Sequence, residues 1–267
     1  MRRLTMVLAL MGMLLARRAR AQVDPWEFEV YPVQTLGKGV LEIESLNSVV
    51  ADGHSTGGAG TSAGTFKSQG MWRTALELTY GLTDKIEAAA YLNLAKPDGA
   101  PLQYAGSKLR LRGMFFEPGE YFLDLGWYAE LDSHKTPQFD DAELELELRP
   151  IVEKDVGRVQ LIAEPIFEKP LVGEDTSGGF EFGYIAAAYY SLWRELSPGV
   201  EFYGGIGLMS DTDPIHEQQH YVFPVIRGYL PYGLEYNFGV GIGLTRGSDQ
   251  VITKLNIEFE RFIGTLF

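Results

Sequence analysis

The chain has 267 residues, 31 of them glycine and none cysteine, so thiolate metal sites, redox pairs and a cysteine nucleophile are excluded. Its formal net charge of −13 repels a phosphate backbone and excludes nucleic acid as a partner. No apolar run approaches the ~20 residues that a transmembrane helix needs.

The first element is a leader. Arg2 and Arg3 open a positive region, Leu4 to Ala16 form an apolar run, and Ala19-Arg20-Ala21 supplies a small-x-small site before Gln22. This pattern predicts a secretory signal peptide over residues 1–21, cleaved after Ala21. As a helix the apolar run covers only roughly 20 Å, short of the ~30 Å hydrocarbon core, which argues against an anchor. Cleavage removes five arginines and no acids, so −13 becomes −18. Residues 22–38 are expected to form an N-terminal periplasmic segment, with Trp26–Tyr31 as a short strand or a plug-like stretch.

From there the chain reads at period two, which is the period of strands. About twelve are predicted, at 39–50, 71–80, 86–95, 105–116, 120–131, 141–151, 158–168, 179–193, 199–210, 219–230, 233–245 and 250–267. In the fourth, Leu109 and Leu111 alternate with Lys108, Arg110 and Arg112. In the fifth, Leu125, Trp127, Ala129 and Leu131 alternate with Asp124, Gly126, Tyr128 and Glu130. The sixth sets Ala142, Leu144, Leu146 and Leu148 against Glu143, Glu145, Glu147 and Arg149. A helix would scatter these glutamates around its circumference, whereas a strand puts them on one side.

The connectors alternate in length. Those at 81–85, 117–119, 152–157, 194–198 and 231–232 are short, while 51–70, 96–104, 132–140, 169–178 and 211–218 are long and polar. Short turns at one end and long loops at the other are the plan of an outer-membrane barrel. A soluble sandwich or lipocalin-like barrel also alternates. Its inner face is a dry core, however, and these charged faces are too rich in Glu, Lys and Arg for that. The predicted fold is therefore all-β, a closed antiparallel transmembrane β-barrel over residues 39–267, facing outer-membrane lipid.

Two hairpins carry a family resemblance. Leu78-Thr79-Tyr80-Gly81-Leu82-Thr83-Asp84-Lys85 resembles the strand–turn signature of many such barrels. The stretch from Asn237 to Asp249, with its alternating Gly239, Gly241 and Gly243, followed by Lys254, resembles the closing hairpin of a transporter-like family. That family is named for the meta-pathway of phenol degradation. Phe267 resembles the terminal aromatic that the barrel-assembly machinery reads, making that machinery an expected partner. The resemblance implies an outer-membrane location and solute passage, and no substrate is carried over from it.

The side chains that could carry function are expected inside the barrel. Lys108, Arg110 and Arg112 are predicted to face Glu143, Glu145 and Glu147 across the lumen, with Asp124 and Glu130 on the strand between. Charges of both signs in a narrow barrel pair and set the field that a passing ion feels. The four histidines, His54, His134, His216 and His220, lie in or beside long loops, and no metal, cofactor or catalytic residue is implied. Ser133 and His134 point to opposite faces of a strand, which argues against a lipid hydrolase. The expected function is passive passage of a small solute through a polar lumen, gated by the charge ladder and loop 51–70. The alternative is a plugged structural or binding barrel without transport.

Overall fold

The computed structural model describes residues 23–55, 67–135, 142–173, 176–193 and 195–263. Ala21, Phe267 and the stretch of loop 51–70 from 56 to 66 lie outside them. Twelve long strands form one antiparallel sheet: β1 Val40–Asp52, β2 Trp72–Thr83, β3 Ile86–Lys96, β4 Gln103–Met114, β5 Asp124–His134, β6 Ala142–Val156, β7 Val159–Gly173, β8 Glu181–Tyr190, β9 Ser197–Leu208, β10 Gln219–Leu230, β11 Leu234–Gly243 and β12 Val251–Phe262. Each pairs with the next, and β12 pairs back onto β1 from Val40↔Phe262 to Asp52↔Val251. The sheet is therefore a closed barrel, and closure leaves no strand edge to be satisfied in lipid. A two-residue ribbon, Asp211–Thr212, extends the loop after β9.

Alternation decides which way each side chain points. Leu109 is 65% exposed on the outer wall, while its neighbours Lys108 and Arg110 are each 2% exposed inside. Ile43, Leu76, Leu78, Leu131, Leu161, Phe202, Ile226, Ile242 and Leu255 likewise face outward. This inverts a soluble barrel, with apolar residues outside and charges within.

The strand boundaries differ from the sequence expectation chiefly at β5, β6, β8 and β7, which runs on to Gly173 rather than ending near 168. Strand β5 begins at Asp124 rather than near 120, because residues 115–123 form the turn and leave Tyr121 and Phe122 exposed. Strand β6 runs on to Val156, where Gly157 (φ +62) opens a two-residue hairpin. A positive φ at the first turn position suits glycine. Strand β8 is shorter at both ends than expected.

Residues 23–38, expected as an N-terminal periplasmic segment with Trp26–Tyr31 as a short strand or a plug-like stretch, run through the barrel interior. Trp26, Phe28, Val30, Tyr31, Val33 and Leu36 are all buried there. The lumen presents rings and aliphatics from β6 to β10, such as Ile151, Ile185, Tyr203 and Phe223, that cover these side chains.

Candidate functional site

The site is the lumen together with the segment that threads it. The segment enters at the long-loop end, where the Val23 amide donates to Gln219 Oε1 at 3.0 Å and the Trp26 indole donates to the Leu94 carbonyl at 3.0 Å. It leaves at the short-turn end, where the Lys38 amide donates to Asp84 Oδ1 and the Gly39 amide to the Gly81 carbonyl. Gly81 is required there, since a Cβ on it would stand 2.0 Å from the Gly37 carbonyl oxygen. The glycine of the Tyr80-Gly81 signature is thus the seat for the end of the segment.

An extended segment inside a barrel has no ladder of its own, so its backbone groups need other partners. Barrel side chains supply them. Glu164 accepts from the Tyr31 amide at 2.8 Å, Glu153 from Val33 at 2.7 Å and Glu87 from Leu36 at 2.8 Å. In the other direction Lys254 and Asn256 donate to the Phe28 carbonyl at 2.9 and 3.2 Å, and Arg112 donates to the Pro32 carbonyl at 2.5 Å. Ser48 donates to the Pro25 carbonyl at 3.0 Å. Seven side chains from six different strands thus fix the path of the segment.

Side-chain charges reinforce it. Glu27 is met by Lys108 at 2.8 Å, by Arg149 at 3.1 Å and by the Tyr128 hydroxyl at 3.0 Å. Lys108 also pairs with Asp24, with Glu130 at 2.9 Å and with Asp132 at 3.6 Å. The Arg110 guanidinium lies 4.6 Å from the Tyr31 ring centroid, and Arg149 lies 4.3 Å from that of Tyr128, within cation–π range. On the opposite wall Phe28 packs against Tyr203, Tyr221 and Phe223 at centroid distances of 5.3, 5.8 and 5.0 Å. Phe223 finds its space over Gly241, where a Cβ would stand 2.2 Å from the ring.

The expected pairing of the basic stripe with Glu143, Glu145 and Glu147 is corrected by this geometry. Arg110 pairs with Glu77 at 2.7 Å and Glu87 at 3.1 Å, and Arg112 with Glu87 at 2.7 Å, so their partners lie on β2 and β3. Glu147 is buried but pairs with Arg149 of its own strand. Glu145 is half-buried and Glu143 is exposed. The physical reason is the occupied lumen, since the segment stands between β4 and β6 and its Glu27 links the cations of both. Glu130 lies beside Lys108 as described, whereas Asp124 accepts from the Gly119 amide at 2.6 Å and serves the β4–β5 turn.

Sequence reasoning gave no site role to Asp24, Glu27, Tyr31, Glu77, Glu87 or Glu164, and it named Lys254 only in the closing-hairpin motif, without its buried partner Glu201 at 2.5 Å. The strand members carry the alternation signal. Those on the segment carry none, because an extended stretch surrounded on all sides has no solvent face. His220 contacts the Tyr184 hydroxyl at 3.0 Å and Gln218 Oε1 at 2.8 Å. His216 lies in the loop, 3.6 Å from Glu217, and His134 faces Asp132 at 3.4 Å. On the loop side Lys67 donates to Asp98 at 2.8 Å and holds its carboxyl below the usual carboxylate range.

No family model and no curated relative matches the chain, so the resemblance in the two hairpins stands on their residues alone. Among solved structures, the chain is similar to an outer membrane channel from Pseudomonas putida F1. That match has a TM-score of 0.56 and 14% identity, and covers 87% of this chain and 99% of that one. It establishes the fold as that of an outer-membrane barrel. A bacterial polysaccharide outer membrane secretin gives a TM-score of 0.45 at 10% identity over 84% of this chain and 99% of that chain. The translocator domain of the autotransporter NalP from Neisseria meningitidis gives 0.44 at 12% identity, covering 86% and 91% respectively.

Proposed function

We propose that the protein is an outer-membrane channel for small solutes whose lumen is closed, in the state described, by its own residues 23–38. The outward apolar wall and the barrel fold support the location. One observation carries the closure. A segment runs the length of the lumen with its backbone groups bonded to side chains of the wall. Passage then requires the segment to shift, and the mixed charges it leaves behind would line the path. The backbone contacts are polar and exchangeable with water, while the packing of Phe28 against Tyr203, Tyr221 and Phe223 would have to be given up as the segment shifts.

A second reading, a permanently locked barrel, is favoured by the depth of the Glu27 ion pairs. Liposome swelling separates the two. Proteoliposomes holding a chain that lacks residues 23–36 should swell in small sugars and amino acids faster than those holding the intact chain. Equal, background-level swelling of both would favour the locked barrel.

A further inference from the structure

At the closing seam of the barrel, carboxylates stand directly opposite one another on consecutive strands. Glu44 of β1 faces Glu77 of β2 on one side and Glu258 of β12 on the other, and Glu258 faces Glu235 of β11. Like charges directly opposite in a sheet destabilise it. The N-terminal segment adds Glu29 to the same place. Carboxylate oxygens of Glu29, Glu44 and Glu77 all lie within 4.8 Å of one another, and so do those of Glu42, Glu44 and Glu258.

Two further facts point to a cation here. Glu44 and Glu77 are only 3% and 2% exposed, so water does not screen them. In the first triad Oε2 of Glu29 and Oε2 of Glu77 are buried with no hydrogen-bond partner. Among the described residues, Arg110 on Glu77 is the one cation that forms an ion pair with any of these five glutamates. An uncompensated buried carboxylate costs several kcal/mol; Glu44 and Glu77 are buried and Glu29, Glu42 and Glu258 half-buried, with one arginine among the five.

We propose that this cluster is a binding site for a hard divalent cation, Ca2+ fitting best, which joins the N-terminal segment to strands β1, β2 and β12. The donors are all carboxylate oxygens, with no imidazole or thiolate, which selects Ca2+ or Mg2+ over zinc or copper. Ca2+ holds oxygens at 2.3–2.6 Å, so opposite ligands on one ion stand roughly 4.6–5.2 Å apart. Oxygens within 4.8 Å of one another lie close enough to share one such ion. Mg2+ needs about 4.0–4.2 Å and keeps several waters, for which a crowded lumen has less room. Glu44 belongs to both triads, so its carboxylate bridges two adjacent ion positions. The ion offsets the cross-strand repulsion where the first and last strands meet, and it fixes Glu29 against the wall.

The test uses the full chain, folded in detergent as judged by heat-modifiable gel mobility, stripped with EDTA and dialysed. Calorimetric titration with CaCl2 should show saturable binding, with a dissociation constant on the order of micromolar, and a rise in melting temperature. The E44Q/E258Q variant should lose about 100-fold or more in Ca2+ affinity, and MgCl2 should bind more weakly than CaCl2. Should that variant not fold, E42Q, which removes one half-buried ligand, should still weaken binding about tenfold. Absence of saturable Ca2+ binding by the folded, stripped chain up to about 1 mM overturns the proposal, as does unchanged affinity in the folded E44Q/E258Q variant or, where that variant does not fold, in E42Q.

Discussion

Glu27 of the N-terminal segment and Arg149 of β6, 122 residues apart in the chain, meet at 3.1 Å inside the barrel, both almost fully shielded from solvent. The contact joins the threaded segment to the wall at a charge that neither could bury alone. Removing Glu27 takes a shared carboxylate from two buried cations, leaving Arg149 with Glu147 and Glu164 and Lys108 with Asp24, Glu130 and Asp132. Glu27→Leu is therefore expected to destabilise the folded barrel by about 1–3 kcal/mol in reversible urea unfolding. It should also raise the accessibility of the segment to protease. Unchanged stability would mean that the remaining carboxylates hold Arg149 and Lys108 without Glu27.

The Lys254–Glu201 pair offers a double-mutant test on the opposite wall. Lys254 is bonded to Glu201, to the Phe28 carbonyl and to the Tyr203 hydroxyl. Lys254→Met alone should cost about 3–5 kcal/mol, because Glu201 is left buried and charged. Adding Glu201→Leu should recover much of that loss, and a double variant that is weaker still would contradict the view of these two as a compensated pair.

The outer wall is tested at Leu109. It is 65% exposed, midway along β4 between two inward cations. Leu109→Arg should destabilise insertion or folding by ~2–4 kcal/mol in lipid vesicles if residue 109 lies near the midplane. Glu143→Gln, at an exposed position near the loop end of β6, should change it by less than about 0.5 kcal/mol. The reverse order would place the apolar face on the wrong side.

Gly81 reports on the seat of the segment. Its missing Cβ makes room for the Gly37 carbonyl at the turn end of β2. Gly81→Val should leave strand pairing intact, judged by circular dichroism and heat-modifiable mobility, while loosening residues 34–38 in hydrogen exchange. Protection there equal to that of the parent chain would show that the segment end does not rest on Gly81.

The barrel was legible because two periods coincide along the chain. Leu109/Lys108 and Leu148/Glu147 announce their faces at period two, and the short and long connectors announce the two ends. Lumen placement of Lys108, Arg110 and Arg112 follows from that alternation. Their partners do not, because Glu77, Glu87 and Glu27 are brought to them by barrel curvature and by a segment with no periodic signature. Trp26, Glu27 and Phe28 are buried in succession. From sequence such a run reads only as a short strand or a plug-like stretch, since burial on every side erases the contrast between faces. The glycines of the closing hairpin were visible as a motif; that Gly241 makes space for Phe223 became visible only with both strands in register.

The central claim is that residues 23–38 close this lumen. Planar-bilayer recording of the intact chain, beside a chain lacking residues 23–36 whose barrel is shown to be folded, tests it most directly. The account predicts a closed or rarely opening intact protein and a steady, larger conductance without the segment. Equal steady conductance in both would show that current passes around the segment and would contradict it.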